Sequence, residues 1–328
     1  MDLQESPPVT VIIVCWNSSK FLKECLDSVL HQSYHNYHIV VVDNNSSDDS
    51  VTLIEREYPM VTVIKNSDNY GYAKGNNIGI RHATGKYIVI LNPDTVVEKK
   101  WLQELVKTAE RDTRIGICAS KVLLYHHRSI LNSVGLYKGR DGKTRHLGDG
   151  EIDNGQYDML MEIFAAPGVS MLLRKEMLEE VGLFDEAYFM YDEDLDLSWR
   201  AKLAGWKCVY VPHSRVYHIR NATVKMKPEI YLFLRYCEQR NRIWTLLKNF
   251  SLASLFIFGP HLLKYDISRV VKSISGFFKT NRPPVEIKAD VDALRFFPIN
   301  KREKIQSIRV VPEQTIRQWF TSPMRSYQ

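Results

Sequence analysis

Residues 87–95 read YIVILNPDT. Tyr87 to Leu91 form an unbroken apolar run of strand formers, the pattern of a strand buried on both faces in a parallel sheet. Pro93 has no amide hydrogen to give a ladder, so the strand must stop at the Asn92-Pro93-Asp94 turn. Asp94 is thereby delivered to the carboxyl end of a central strand, where open α/β sheets bind ligands. An Asp at a strand end is also an ordinary turn former. A second acidic cluster, Asp192-Glu193-Asp194-Leu195-Asp196, and then His218 follow far downstream. The two acidic sites are expected to converge on one cation and one substrate.

Outward from this strand the chain alternates. Val9–Val14 is a buried strand candidate ending in Cys15-Trp16-Asn17. Ser18 and Ser19 can cap a helix in which Phe21, Leu22, Cys25, Leu26, Val29 and Leu30 recur at helical spacing. His38–Val42 is a second strand, stopped by Asp43 and the turn-rich NNSSDDS, with a helix at Val51–Tyr58 and a strand at Val61–Lys65. Such alternation predicts an α/β fold with parallel pairing and right-handed crossovers. Residues 69–85, NYGYAKGNNIGIRHATG, are a poor helix by propensity. They form either a glycine-loosened crossover helix or a stretch whose backbone approaches a ligand. They match neither GxGxxG nor a phosphate loop.

Further on, Lys99–Asp112 reads as an amphipathic helix and Ile115–Leu124 as an apolar segment. Residues 126–158 show little period, and an unstructured stretch of that length inside a compact domain predicts a lid or binding loop. Ile163–Leu173 is strand-like around Gly168, and Lys175–Val181 is a short helix closed by Gly182. Asp192–Ala204 is another helix, followed by strand Lys207–Val211 and a segment ending at His218.

The bulk numbers agree with a globular chain: 328 residues, 45% apolar and 25% charged. Five cysteines lack CxxC spacing, and those in apolar segments read as reduced, buried thiols. Met1–Pro8 is polar, so no cleaved leader is expected there. The net charge of +6 hides an asymmetry, because residues 225–328 hold 19 Lys and Arg against 8 Asp and Glu. No nucleic-acid module accompanies this basic block, so an anionic membrane surface is the expected partner and nucleic acid is not. Two domains are expected, at 1–224 and 225–328. In the second, Tyr231–Lys248 and Ile267–Lys279 mix apolar and basic residues around an uncharged run, Asn249–Leu263, too short to span a bilayer. These segments form either a helical surface lying in the membrane interface or a subdomain packed on the sheet or on another subunit. The tail from Asn281 looks loosely packed.

Four carboxylates near a helix start gain from the macrodipole but repel one another. In helical geometry Asp192 and Asp196 share a face, while Asp194 projects with Ser198 on another, which permits separate roles. One carboxylate and one imidazole, Asp94 and His218, would leave positions on a magnesium or manganese ion open to a diphosphate.

The ordered set VIIVCWN, VVVDNNSSDDS, NYGYAKGNNIGI, LNPDT, FDEAYFMYDEDLDLSWRAKLAGW and VYHIRNAT, over roughly residues 9–220, resembles glycosyltransferase family 2, most of all its rhamnosyltransferase-like bacterial branch. The resemblance implies a GT-A fold, a mostly parallel sheet flanked by helices with a Rossmann-like nucleotide-binding half, followed here by the basic helical region. It also implies an inverting transfer from a nucleoside-diphosphate sugar, with dTDP- or UDP-sugar expected, to a glycan or polyprenyl-diphosphate-linked acceptor. A divalent cation, Mn2+ or Mg2+, would assist. By position, Asp43 resembles the acid that contacts the nucleoside, with Asn17 beside it. Asn69, Gly71, Lys74 and Asn77 fall in the loop bordering the nucleotide. Asn92 and Asp94 occupy the two acid positions of the DxD motif. Asp94 and His218 resemble its metal contacts. Glu193-Asp194 resembles the ED motif, with Asp194 as general base. Asn92 removes one charge from DxD, and the absence of QxxRW argues against a processive polymerase. A cytoplasmic chain, peripheral on the inner face of the membrane, is expected. A sugar-phosphate nucleotidyltransferase would need a basic glycine-rich loop after strand one, which CWNSSK is not. A non-catalytic nucleotide-sugar-binding scaffold would not need Asp94, Asp194 and His218.

Overall fold

The computed structural model describes residues 6–220, 230–280 and 285–327. The polar start at Met1–Glu5, the end of the VYHIRNAT motif, the expected boundary at 224/225 and the first residues of the tail from Asn281 lie outside the described residues. Four parallel strands build the amino-terminal half: β1 (Val9–Cys15), β2 (Tyr37–Asp43), β3 (Thr62–Lys65) and β4 (Tyr87–Leu91). They lie in the order β3-β2-β1-β4, with β1 bonded on both sides. Every residue of β4 is buried, as its unbroken apolar run requires.

Helices α1 (Ser19–Leu30), α2 (Ser50–Glu57) and α3 (Gly71–His82) connect these strands. The glycine-rich stretch is therefore a helix from Gly71 on, and its composition serves packing. A Cβ on Gly79 would come within 2.6 Å of Ile12 Cγ2, so α3 lies closer to β1 than a helix with a side chain there could.

The second half carries β5 (Thr95–Val97), α4 (Trp101–Ala109), β6 (Ile115–Leu124), β7 (Leu131–Ser133), β8 (Leu136–Lys138), β9 (Thr144–His146), β10 (Met161–Ile163), β11 (Ser170–Arg174), α5 (Lys175–Val181), α6 (Glu193–Leu203) and β12 (Lys207–His218). β11 inserts antiparallel between β4 and β6, and β12 runs parallel to β6. The sheet is mostly parallel, since most of its paired residues lie in parallel ladders. The stretch 126–158 is not the structureless lid its sequence suggests. It folds as β7, β8 and β9 and is tied down by the buried Lys121 ammonium, which bonds Asp153 at 2.9 Å and Asp158 at 2.6 Å. Strands of three residues are too short to show a period. The five cysteines are buried and unpaired with one another.

Beyond residue 230 come α7 (Tyr231–Asn249), α8 (Leu252–Thr280), α9 (Val285–Arg295), α10 (Ile299–Ser307) and α11 (Glu313–Gln318), then β13 (Met324–Ser326). Among the described residues no helix is long and apolar enough to cross a membrane. Leu195, Trp199 and Leu203 of α6 share a buried cluster with Leu246, Phe250, Phe258, Trp319 and Phe320. The tail is thus not loose: Trp319 and Phe320 are buried, and β13 pairs with β10 at the sheet edge. Part of the region's positive charge is spent internally, in the Arg242–Asp266, Lys248–Asp185 and Arg269–Asp290 pairs.

Candidate active site

The turn after β4 is fixed from two sides. The Asn92 N–H donates to the Val169 carbonyl at 3.0 Å, and the Asp94 carbonyl accepts from Ile219 N–H at 2.9 Å. β5 then pairs antiparallel with the end of β12, Thr95 opposite His218. This register sets the His218 ring beside Asp94, Nε2 to Oδ2 at 3.5 Å, with both side chains mostly buried. Asn132 of β7 presents its Oδ1 to His218 Nδ1 at 2.8 Å. With Nδ1–H donated there, Nε2 turns a lone pair toward a carboxylate oxygen, and two such atoms need a proton or a cation between them.

The second acid is placed by an unusual turn. Phe189, Tyr191 and Asp192 all have φ between 63° and 72°, a region costly to residues with a side chain. Asn241 of α7 holds that turn, its amide donating to the carbonyls of Tyr188, Met190 and Tyr191 at 2.9, 2.8 and 2.9 Å. α6 follows at once, and Asp194 in its first turn accepts the Gly168 N–H on Oδ2 at 2.7 Å. Ser198, one turn on, accepts the Ala166 N–H at 3.3 Å, so the face expected to carry Asp194 and Ser198 points at residues 166–168. A Cβ on Gly168 would lie 2.7 Å from Tyr72 Oη and 3.3 Å from Asp194 Oδ2. A side chain here would crowd the Tyr72 hydroxyl, so glycine suits this close packing beside the carboxylate.

Gly168 bonds Asp194 and Val169 bonds Asn92, so adjacent residues of one turn join the two acidic sites. The structure therefore brings Asp94, His218 and Asp194 to the same carboxyl edge of the sheet.

The four carboxylates of the cluster are sorted by their surroundings. Burial pushes Asp194 up to about 6, with the Asp192 charge adding and the Gly168 N–H opposing. Burial raises Glu193 well above the usual carboxylate range, with Asp194 adding to it. Glu193 Oε2 finds no hydrogen-bond partner among the described residues. Burial thus favours the neutral form of Glu193, while a backbone amide supports the carboxylate of Asp194. Asp192 is neutralised by Lys138 of β8 at 2.5 Å and bonded by Thr144 at 2.6 Å. Burial would raise Asp196 as well, but Lys248 at 3.0 Å and Arg200 at 2.9 Å outweigh it and hold it below its ordinary value.

The remaining candidates line the amino-terminal half. Asp43, at the end of β2, accepts from Cys15 Sγ at 3.3 Å and from the Ser46 N–H at 3.0 Å. Asn17, with φ 51°, donates its N–H to Ser46 Oγ at 2.8 Å and takes the Ser47 N–H at 2.8 Å, so it and Asp43 meet on one loop. Asn69 accepts the Gly71 N–H at 3.0 Å, and the Lys74 ammonium lies 3.6 Å over the Tyr70 ring. Asn77 is different. Like Gly71 and Lys74 it sits in α3 and not in the expected loop, but its amide is committed to Phe184 N–H, the Phe184 carbonyl and Glu186 at 3.1, 2.9 and 3.0 Å. It buttresses the segment before α6 and has no group left for a nucleotide. Conversely Gly168, Asn132 and Asn241 were not candidates. Gly168 acts through its backbone, and the two asparagines act across distant elements that no spacing reveals.

A mixed α/β sheet of this order, acidic at the carboxyl edge after β4 and at the start of α6, has the architecture of a GT-A glycosyltransferase. The chain matches the model of Glycosyl transferase family 2 over residues 10–182, more than half its length, and belongs to that family. It is 26% identical over 247 residues to the O-antigen biosynthesis protein RfbC of Myxococcus xanthus, covering 72% of this chain and 19% of that protein. It is 24% identical over 216 residues to the poly-beta-1,6-N-acetyl-D-glucosamine synthase of Staphylococcus aureus (strain COL), covering 65% of this chain and 50% of the synthase. The chain thus spans half or less of the length of these relatives. The mannosyltransferase PcManGT from Pyrobaculum calidifontis, solved in complex with GDP-Man and Mn2+, aligns with a TM-score of 0.55 at 16% identity, over 93% of this chain and 86% of that one.

Proposed function

We propose that this glycosyltransferase inverts the anomeric carbon of a nucleoside-diphosphate sugar, dTDP- or UDP-linked and rhamnose in first place, and passes the sugar to a hydroxyl of a glycan or polyprenyl-diphosphate-linked glycan in surface-polysaccharide synthesis. The observation that carries this is the turn 168–169, which binds Asp194 with one amide and the Asn92-Pro93-Asp94 turn with the next carbonyl. Asp194, as carboxylate, takes the proton from the acceptor hydroxyl while that oxygen attacks. Glu193 keeps its own proton and so does not compete for the acceptor's. Asp43 and Asn17 border the nucleoside, and Asn69, Gly71 and Lys74 border the diphosphate.

The donor set at Asp94 and His218 fits a divalent cation. Among the described residues no group of three or more His, Cys, Asp or Glu is placed to hold a metal ion, but magnesium-type sites often use one or two protein ligands and complete the shell with phosphates and water. Asp94 Oδ2 and the Nε2 lone pair of His218 would hold the ion, with Asn132 orienting the ring. When bound, such an ion offsets the charge that develops on the leaving diphosphate. On this reading the chain works in the cytoplasm, peripherally at the inner face of the membrane, where a lipid-linked acceptor is presented. The Mn2+ and GDP-Man of PcManGT and the O-antigen role in the name of RfbC support it.

Incubation with a panel of dTDP- and UDP-sugars, with and without Mn2+, tests the reading by release of the nucleotide and by the anomeric configuration of the product. Inverted product in the presence of Mn2+ is expected. Nucleotide binding with no release or transfer from any donor would favour the scaffold instead. Asn132→Ala is expected to weaken Mn2+ binding about ten-fold or more, measured calorimetrically, because the ring of His218 loses its orienting partner.

A further inference from the structure

Helix α8 is amphipathic in the wrong sense for a helix that merely covers a core. Its inward side carries Leu255, Phe258 and Leu262, which join the buried cluster around Trp199 and Phe250, and then its charges: Asp266 pairs with Arg242 and Arg269 with Asp290. Its outward side is apolar. Leu252, Phe256, Leu263, Ile267, Val271 and Ile274 are 76, 86, 61, 56, 60 and 42% exposed. Their three-, four- and seven-residue spacing makes one stripe, about 33 Å long at the helical rise. No carboxylate stands on that side, since Asp266, the helix's one acid, is turned inward. Among the described side chains of α8, the exposed charge beside the stripe is that of Lys264, next to Val271 around the helix, while the exposed Lys272 lies on the far side.

We propose that α8 is a membrane-interface helix, which seats this stripe at the headgroup boundary of an anionic bilayer with Lys264 on a lipid phosphate. An apolar stripe this long and exposed marks an interaction surface. Its flanks choose the occupant. A second copy paired antiparallel through the same face about a two-fold axis would bring Lys264 toward Lys264 with no acid to meet it. Anionic headgroups meet it directly. The stripe is not a span, since α8 carries ion-paired side chains on its other face.

Attachment through α8 rests on the reading that the acceptor is membrane-borne, so nucleotide binding is followed alongside to let the two fail separately. The full chain is floated with vesicles of mixed phosphatidylglycerol and phosphatidylcholine, and with phosphatidylcholine alone. The wild type is expected to float with the anionic vesicles and to be released by high salt. The combined variant Phe256→Ser, Ile267→Ser and Val271→Ser is expected to lose on the order of ten-fold in vesicle-bound fraction, with uridine diphosphate binding and thermal melting unchanged. Lys264→Glu is expected to lose binding on anionic vesicles alone. Equal flotation of the serine variant, or a wild type that stays with no vesicle, overturns the proposal. A wild type that instead sediments as an oligomer dissociated by the serine substitutions overturns it in favour of self-association.

Discussion

Replacing Asp194 with Asn is expected to abolish transfer, by about a thousand-fold or more, the upper part of the range for removal of a positioned base. Binding of nucleoside diphosphate should stay within about two-fold, because the amide still accepts from Gly168 and leaves the Asp94 side untouched. The same substitution is expected to stabilise the fold. Asp194 binds its proton more tightly folded, at about 6, than at its ordinary value of 3.8. Between those values the native state holds more protons, so stability falls as pH rises through the window, and at neutral pH the ionised group costs on the order of 3 kcal/mol. Asn removes the titration, so melting should move up at pH 7.5 and stay near wild type at pH 4. For the wild type, transfer should rise with pH to a plateau above about 6. Full-rate transfer by the variant would show that another group takes the proton.

Lys248→Met is expected to destabilise the protein by about 3 kcal/mol or more, as breaking a buried ion pair does. Lys248 is 1% exposed and lies 2.8 Å from Asp185 and 3.0 Å from Asp196. Asp185 retains Lys301, but Asp196, itself 0% exposed, is left with Arg200 as its cation. Because these contacts fasten α7 to α6, the helix that carries Asp194, transfer should fall together with the urea midpoint. An unchanged midpoint would mean that the aromatic cluster around Trp199 and Phe250 alone holds the helices together.

What could be read in advance followed from runs long enough to show their pattern. The apolar runs of β1, β2 and β4 and the Gly182 stop after α5 carry their structure in neighbouring residues, and Pro93 marks the end of β4 by its chemistry. Acids clustered in sequence, as at 192–196, advertise themselves. The same residues did not reveal that a turn around Gly168 ties the two acidic sites together, since a backbone amide has no side chain to notice. Nor did the amphipathicity of α8 say which face turns inward. Ordinary patterning puts the apolar side in, but Arg242 and Asp290 offer its charges partners inside, and the apolar stripe is left out. The asparagines of α3 misled in the other direction. Asn77 looks like a ligand residue in a glycine-rich stretch and is a buried clamp on Phe184.

The central claim is that a cation-and-diphosphate site at Asp94 and a proton-accepting site at Asp194 are distinct flanks of one centre. Calorimetric titration of uridine or thymidine diphosphate, with and without Mn2+, into wild type, Asp94→Ala and Asp194→Asn tests it most directly. Mn2+ should tighten binding to the wild type and to Asp194→Asn alike, and the gain should vanish in Asp94→Ala. An Mn2+-dependent affinity for Asp94→Ala equal to that of the wild type would contradict the account.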